Sequence, residues 1–247
     1  VVAFSGGVDS AVLLAAAREV LGAERVLAVI AVSPSLAREE LASARVQAAQ
    51  IGVELIELET RELDDPRYRA NAGDRCFWCK EALFTTASPL AEARGWDLCY
   101  GENADDAGEH RPGARSAAAR GVRAPLREAG WGKAEVRSFA RLRGLSSAEK
   151  PAAPCLASRL PVGVPVSRTA LDQLEKLEES VRGRGFRIVR VRHFAADRAV
   201  LEIGAEELER AQAILSLLRA DAEILGYAHL DLRAYRSGAV AGPALQV

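Results

Sequence analysis

Long hydrophobic runs are absent from the 247 residues: none approaches the roughly 20 needed to cross a bilayer, so we expect no membrane partner. Cysteine is scarce, and four in a chain of this length do not make a disulfide scaffold, which favours a reduced cytoplasmic location. The chain also lacks a surplus of either charge, because its formal net charge is -1. That balance argues against nucleic acid as a partner. With 49% hydrophobic residues, the chain can still bury a sizeable core.

Short apolar strands alternate with helical patterns in the first part of the chain. The strand-like stretches are 1–4, 25–33, 53–59 and 97–103. Between them, apolar residues recur at helical spacing from residue 8 or 9 to 20, over 35–51, and in CKEALFTTASPLAEARG, 79–95. This alternation is typical of parallel βαβ units. It predicts an α/β fold with a doubly wound, Rossmann-like parallel sheet.

A smaller α+β domain is predicted after the proline-rich segment 151–167. We place the boundary near residue 165, which gives domains 1–165 and 166–247. In the second domain a helix at 168–183 is followed by the strands FRIVRVRHF (186–194) and AVLEIG (199–204). A helix at 205–219 and the strands AEILGY (222–227) and HLDLRAY (229–235) complete the predicted order α-β-β-α-β-β.

The N-terminal VVAFSGGVDSAVLL predicts a strand, a glycine-rich turn and a helix. Backbone N–H groups at a helix start bind anions, and glycines let phosphate approach the chain. Ser5 and Ser10 add hydroxyl donors beside Gly6 and Gly7, and Asp9 could help to hold Mg²⁺. The loop fits neither Walker A nor GxGxxG. The alternative is a turn that only caps a helix.

SGGVDS resembles the PP-loop of the ATP pyrophosphatases, which implies ATP as the bound nucleotide, cleaved between the α and β phosphates. Further strings together resemble the LarE family: YGENADD (100–106), RPGARSAAARGVRAPLREAG (111–130), KPAAPCLASRLPVG (150–163), VRVRH (189–193) and DLRAYRSG (231–238). That resemblance covers nearly the whole chain. It implies an enzyme that uses ATP to transfer sulfur to pyridinium-3,5-biscarboxylic acid mononucleotide, a step toward the nickel-pincer nucleotide cofactor of lactate racemase.

Two cysteines, Cys76 and Cys79, stand three residues apart in RCFWCKEALF. Zinc, a redox pair or plain structural thiols are all open from the residues alone, although His110, His193 and His229 are not at zinc-ligand spacing. The LarE resemblance adds Cys155, which follows Pro154 in KPAAPCLASRLPVG. It implies a [4Fe–4S] cluster on Cys76, Cys79 and Cys155. The same resemblance leaves a second sulfur source open, in which Cys155 gives up its own sulfur. Cys99 is expected in the core.

The resemblance also implies roles for several charged side chains. Arg190 and Arg192 alternate along one strand and match arginines that hold the substrate phosphate, although a solvated strand face is the alternative. Glu178 matches an acidic residue of the family's sulfur-transfer site; the alternative is that it lies on the outer face of an ordinary helix. Lys133 would meet the leaving pyrophosphate, or is a surface lysine. Arg159 is expected with Arg190 and Arg192 among the substrate-binding residues. From its position four residues after Cys155, it could also favour the Cys155 thiolate.

Further polar residues follow the strand at 97–103. Asn103, Asp105 and Asp106 would contact nucleotide or magnesium, or cap the next helix. Four positions depart from the family pattern. Gly132 replaces a capping hydroxyl and Val200 replaces an arginine, while Ala153 and Val162 stand where Ser and Tyr are common.

Adenylation followed by sulfur insertion is the leading functional hypothesis, because it turns a carboxylate oxygen into a leaving group. A tRNA thiolase of the same superfamily is the alternative, but no basic tract or zinc-finger-like cysteine set supports RNA binding. A scaffold protein without catalysis and an amidating synthetase are weaker alternatives. The expected partners are a small-molecule nucleotide substrate, a sulfur-donor protein and further copies of the chain in a homo-oligomer.

Overall fold

The computed structural model describes residues 1–108, 112–151, 153–194 and 197–236. These residues form two units. The first consists of Val1–Asp65 and Asp74–Ala153, and the second of Pro66–Gly73 and the described residues from Pro154 onward. The domains predicted from the sequence, 1–165 and 166–247, stay a prediction.

A four-stranded parallel sheet forms the centre of the first unit. Its strands stand in the order β3-β2-β1-β4, and each pairs in parallel with its neighbour. The strands are β1 Val2–Ala3, β2 Ala28–Val32, β3 Leu55–Glu59 and β4 Cys99–Tyr100. The predicted α/β class with a Rossmann-like parallel sheet is therefore confirmed.

Helices cover both faces of this sheet. The helices are α1 Val8–Leu21, α2 Arg38–Ile51, α4 Arg75–Glu92, α5 Pro112–Ala119, α6 Pro125–Glu128 and α7 Lys133–Leu142, while α3 Pro66–Ala70 lies in the second unit. Along β1, Val2 and Phe4 face a cluster that includes α1, α2 and α7. Val1 and Ala3 face a second cluster that includes α4 and α5. Side chains alternate between faces in a strand, so near-continuous apolar strands bury both faces.

The second unit contains a three-stranded mixed sheet. β5 (Val189–His193) and β6 (Arg198–Ile203) are antiparallel, and β6 and β7 (His229–Ala234) are parallel. α8 (Arg168–Gly183) packs on β5. α9 (Leu208–Ala213) and α10 (Leu215–Ile224) pack on β7.

The strand predicted at 222–227 is wrong, because α10 continues through Ile224. Leu218 and Ala222, four residues apart, are both fully buried, which is the spacing of one helix face. Gly226 then adopts φ 92°, and the Tyr227 N–H donates to the Ala222 carbonyl at 2.9 Å. A left-handed glycine of this kind ends helices. Within the described residues, no helix is long and apolar enough to cross a membrane.

Candidate active site

The loop between β1 and α1 is folded on its own hydroxyl groups. Ser10 Oγ donates to the Gly7 carbonyl at 3.0 Å and accepts from the Ser5 N–H at 3.2 Å. Ser5 Oγ lies 3.2 Å from Ser10 Oγ. Gly6 has φ 72°, and a Cβ there would stand 3.2 Å from the Ala44 Cβ of α2. Both the backbone conformation and the close approach of α2 therefore favour glycine at this position.

The start of α1 lies at the glycine-rich loop. Gly7 is the N-cap and makes no side-chain capping hydrogen bond. The first N–H groups of a helix have no partner inside it and attract anions. The loop therefore has the geometry of a phosphate site, as the sequence predicts.

Asp9, on α1, accepts hydrogen bonds from two other segments of the first unit. Its carboxylate accepts two hydrogen bonds from Lys133 Nζ, at 2.8 and 2.6 Å, and one from Asn103 Nδ2 at 2.9 Å. Asn103 follows β4, and Lys133 is the first residue of α7. The structure thus places the lysine predicted from sequence beside the loop, in an ion pair with Asp9.

Asp105 caps α7 from outside the helix. Its Oδ2 accepts from the Lys133 N–H at 2.7 Å, while Glu135 Oε2 accepts from the Gly132 N–H at 3.0 Å. A Cβ at Gly132 would lie 2.9 Å from both carboxylate oxygens of Asp105. The Asp105 carboxylate therefore caps α7 in place of a hydroxyl at residue 132, and it occupies the space that a Cβ at this position would need.

A cavity of about 200 Å³ opens above the loop. It lies at the carboxyl ends of the strands, where open α/β sheets bind ligands. Its lining includes Ser5, Asp9, Ser10, Lys80 and Tyr100. A larger cavity of about 600 Å³ is mostly apolar and lies at the amino ends of β1 and β4, without any loop residue. The smaller cavity is the one lined by the glycine-rich loop and its polar groups.

Lys80 was not identified from the sequence. Its Nζ stands 4.6 Å from the Tyr100 ring centroid, a distance typical of a cation–π contact. Gly101 follows Tyr100, and a Cβ there would lie 2.6 Å from the Ser10 nitrogen. The end of β4 therefore packs directly against the loop. A charged residue directly after Cys79 is the signal that could have indicated Lys80.

Cys76 and Cys79 lie in the first two turns of α4, which starts at Arg75, four residues before the predicted helix. Residues three apart share a helix face, so the two side chains are neighbours. All four cysteines are thiols; Cys76 is exposed, and Cys79, Cys99 and Cys155 are half-buried. Burial raises the pKa of the Cys99 thiol, which packs against the core.

Cys155 belongs to the second unit. Over the described ranges, no group of three or more His, Cys, Asp or Glu side chains is placed to hold a metal ion. The metal site predicted at Cys76, Cys79 and Cys155 is thus not seen and stays a prediction. His110 lies outside the described residues.

In the second unit, Arg159 holds the loop that carries Cys155. Its Nη1 donates to the carbonyls of Pro154 and Cys155, the latter at 3.0 Å. Its Nε and Nη2 donate to the two Glu178 oxygens at 3.0 and 3.1 Å. Both side chains are almost fully buried, with 4% and 1% exposed. Arg159 therefore acts on Cys155 through the loop backbone.

Glu178 is a buried carboxylate with several donors. It also accepts from the Val191 N–H at 2.9 Å and from Arg182 Nη2 at 2.6 Å. Burial by itself would raise its pKa, but Arg159, Val191 and Arg182 outweigh burial and the pKa of Glu178 lies below its usual range. The interpretation of Glu178 as the outer face of a helix is wrong, because its side chain is buried.

Arg190 and Arg192 lie on the same face of β5. Arg192 is buried: its Nε donates to Glu202 at 2.9 Å and its Nη1 to the Ser158 carbonyl at 3.1 Å. Burial, and then the charge of Arg159, lowers the pKa of Arg190. Arg192 therefore contacts the Cys155 loop, whereas Arg190 is half-buried and donates to the Val189 carbonyl at 2.9 Å.

Known proteins resemble this chain over nearly its whole length. The family model described as NAD synthase matches residues 1–72, which include the loop. The chain is 40% identical over 242 residues to an uncharacterized protein of Synechocystis, covering 96% of this chain and 90% of that protein. It is 31% identical over 240 residues to the pyridinium-3,5-bisthiocarboxylic acid mononucleotide synthase of Lactiplantibacillus plantarum, covering 96% and 87%. The chain belongs to the LarE family.

An uncharacterized protein of Methanocaldococcus jannaschii is a more distant relative, 26% identical over 204 residues, covering 82% of this chain and 77% of that protein. Membership of the LarE family confirms the family predicted from sequence motifs. It also supports the use of ATP and Mg²⁺, and sulfur transfer as the class of reaction.

Proposed function

We propose that this member of the LarE family transfers sulfur, at the expense of ATP, to the carboxylates of pyridinium-3,5-biscarboxylic acid mononucleotide. The observation that carries the proposal is the convergence of Lys133 and Asn103 on Asp9 at an anion-binding loop. The name of the Lactiplantibacillus relative, which makes the bisthiocarboxylic acid mononucleotide, supports the substrate. The domain 166–247 would bind that substrate and contribute to a homo-oligomer.

The first step is adenylation. A substrate carboxylate oxygen attacks the α phosphorus of ATP, the bond to the bridging oxygen breaks, and pyrophosphate leaves. The N–H groups of the loop, with Ser5 and Ser10, would hold the departing phosphates. Lys133 supplies a positive charge beside them, and Asp9 would hold Mg²⁺, which neutralises phosphate charge when bound. A carboxylate oxygen is the ligand type that Mg²⁺ prefers.

The second step replaces oxygen by sulfur. A sulfur nucleophile attacks the acyl carbon, the bond to the adenylate oxygen breaks, and AMP leaves with that oxygen. Arg159 and Glu178 fix the loop that carries Cys155, so its thiol is held in place. Arg190 and Arg192, on the strand behind this loop, would bind the substrate phosphate.

The proposed sulfur source follows from the chemistry of the cysteine ligands. Three cysteine thiols, two of them on one helix face, suit the soft iron sites of a cluster. Cys76, Cys79 and Cys155 would hold a [4Fe–4S] cluster, which supplies a transferable sulfide when bound and is reloaded by a sulfur-donor protein. A sacrificial Cys155 is the alternative source.

The products of ATP test the proposed reaction. We expect AMP and pyrophosphate in amounts that depend on the mononucleotide, because the loop lacks the Walker lysine. Chromatography of the nucleotides and mass spectrometry of the pyridinium product measure both. ADP and phosphate would contradict adenylation. Sulfur incorporated into bulk transfer RNA in place of the mononucleotide would identify the alternative, a tRNA thiolase.

Single cysteine variants test the sulfur source. Changing Cys76, Cys79 or Cys155 to Ala should abolish the brown chromophore of anaerobically purified protein and limit sulfur transfer to at most one turnover. Cys99→Ala is the matched control, because its half-buried side chain packs on the core and should affect neither readout. A colourless wild type whose mass falls by one sulfur atom after one turnover would establish the sacrificial route instead.

A further inference from the structure

Glu202 lies between two arginines on the polar face of the second sheet. It is 2% exposed and belongs to β6. Arg233 of β7 stands directly opposite it in the parallel pair, and Arg192 of β5 reaches it from the other side. All three side chains point to one face, because side chains alternate along a strand. Glu202 and Arg233 were not identified from the sequence, where a lone charge in AVLEIG was the available signal.

Each carboxylate oxygen of Glu202 serves a different guanidinium. Oε2 accepts from Arg192 Nε at 2.9 Å. Oε1 accepts from Arg233 Nη2 at 2.6 Å and from its Nε at 3.0 Å. One buried anion therefore fixes the orientation of two cations from opposite flanking strands.

The cluster extends from the Cys155 loop to the surface. At its inner end, Arg192 Nη1 donates to the Ser158 carbonyl, three residues after Cys155. At its outer end, the Arg233 side chain is 44% exposed. Burying ions costs about as much as their pairing returns, so stability alone explains this arrangement poorly. Planar guanidinium groups held in fixed positions are well suited to phosphate or carboxylate.

We propose that Arg233 binds an anionic group of the substrate, and that Glu202 is a positioning residue that orients Arg192 and Arg233. This inference rests on the proposed function, since the pyridinium mononucleotide carries one phosphate and two carboxylates. Arg190, Arg192 and Arg233 together form an arginine cluster on this face of the sheet. Arg233 is its exposed member, and Arg190 and Arg192 are more buried.

Kinetics of Arg233→Gln test the inference. We expect KM for the mononucleotide to rise about ten- to hundredfold, as for loss of one charge-assisted hydrogen bond, with kcat and KM for ATP unchanged. Arg233→Lys should recover part of the loss. Arg198→Gln is the matched control, because Arg198 also pairs across β6 and β7, with Asp231 at 2.8 Å, and is 40% exposed. An unchanged KM in Arg233→Gln, or an equal rise in Arg198→Gln, would overturn the assignment.

Glu202→Gln tests the positioning role. KM for the mononucleotide should rise without a fall in kcat, and Glu202→Asp should restore part of it. A fall in kcat and in melting temperature without a change in KM would show a purely structural role. If Glu202→Gln does not fold, Arg233→Gln still decides the proposal.

The inference can fail separately from the proposed function. If wild-type protein transfers no sulfur to the mononucleotide, the proposed function fails. Calorimetry with ribose 5-phosphate, while a non-hydrolysable ATP analogue occupies the loop, then tests the arginine cluster alone. Binding that weakens about tenfold or more in Arg233→Gln supports an anion site. Equal binding by wild type and Arg233→Gln rejects it.

Discussion

Asp9→Asn is expected to lower the rate of AMP formation by about a thousandfold. The asparagine keeps the shape but loses the charge that pairs with Lys133 at 2.6 Å and would hold Mg²⁺. The lysine would then lose the anion that places it beside the loop. Single-turnover measurement of AMP at saturating ATP and Mg²⁺ gives the rate.

The same variant should keep the chromophore of the wild type, because in the proposed reaction Asp9 and the cysteines act in separate steps. Asp97→Asn is the control for loss of an aspartate. Asp97 lies in the same unit, pairs with Arg123 at 3.0 Å, and has a side chain that is 67% exposed. Its AMP formation should stay near the wild-type rate. An Asp9→Asn protein with near-normal AMP formation would show that the loop works without this carboxylate.

Glu178→Gln is expected to destabilise the second unit by about 3–5 kcal/mol. The change leaves Arg159, with 4% of its side chain exposed, without the charge that compensates it. Thermal unfolding measures the loss, and sulfur transfer should fall because the Cys155 loop loses its anchor. Glu179→Gln is the control, because the neighbouring side chain on α8 is exposed and should change stability little.

The stability lost in Glu178→Gln should depend on pH. The pKa of Glu178 in the folded protein lies below its ordinary value of 4.5, since Arg159, Val191 and Arg182 outweigh burial. A carboxyl of this kind stabilises the fold above its unfolded pKa, and that contribution disappears as pH falls through the folded pKa. The gap in melting temperature between wild type and Glu178→Gln should therefore be full near neutral pH and shrink below pH 4.5. A constant gap would mean that the charge of Glu178 is not what stabilises the fold.

Local pattern predicted the first unit well. Apolar strands alternating with helical spacing specified the parallel sheet, because both periodicities are properties of consecutive residues. The same is true of the SGGVDS loop, whose serines and glycines bond within five residues of each other. The helix of Cys76 and Cys79 was also predicted, but its start was placed four residues too late, at Cys79. Helix ends depend on capping contacts that spacing does not record.

Local pattern was less reliable in the second unit. The stretch 222–227 is apolar enough for a strand, yet its first residues complete a helix. Short apolar runs do not distinguish helix from strand without the surrounding packing. The side chain of Leu218, buried on the same helix face as Ala222, decides the outcome.

By itself, the sequence determined the family, the parallel sheet and the glycine-rich turn between its first strand and helix. The tertiary structure decided which side chains work together. Asp9 and Lys133 are 124 residues apart, and Arg159 and Glu178 are joined only because the Cys155 loop packs on α8. Spacing along the chain cannot give these pairs, because each partner is selected by burial and by the geometry of elements that are distant in sequence. The Glu202 cluster has the same origin: three strands must align before one carboxylate can orient two arginines.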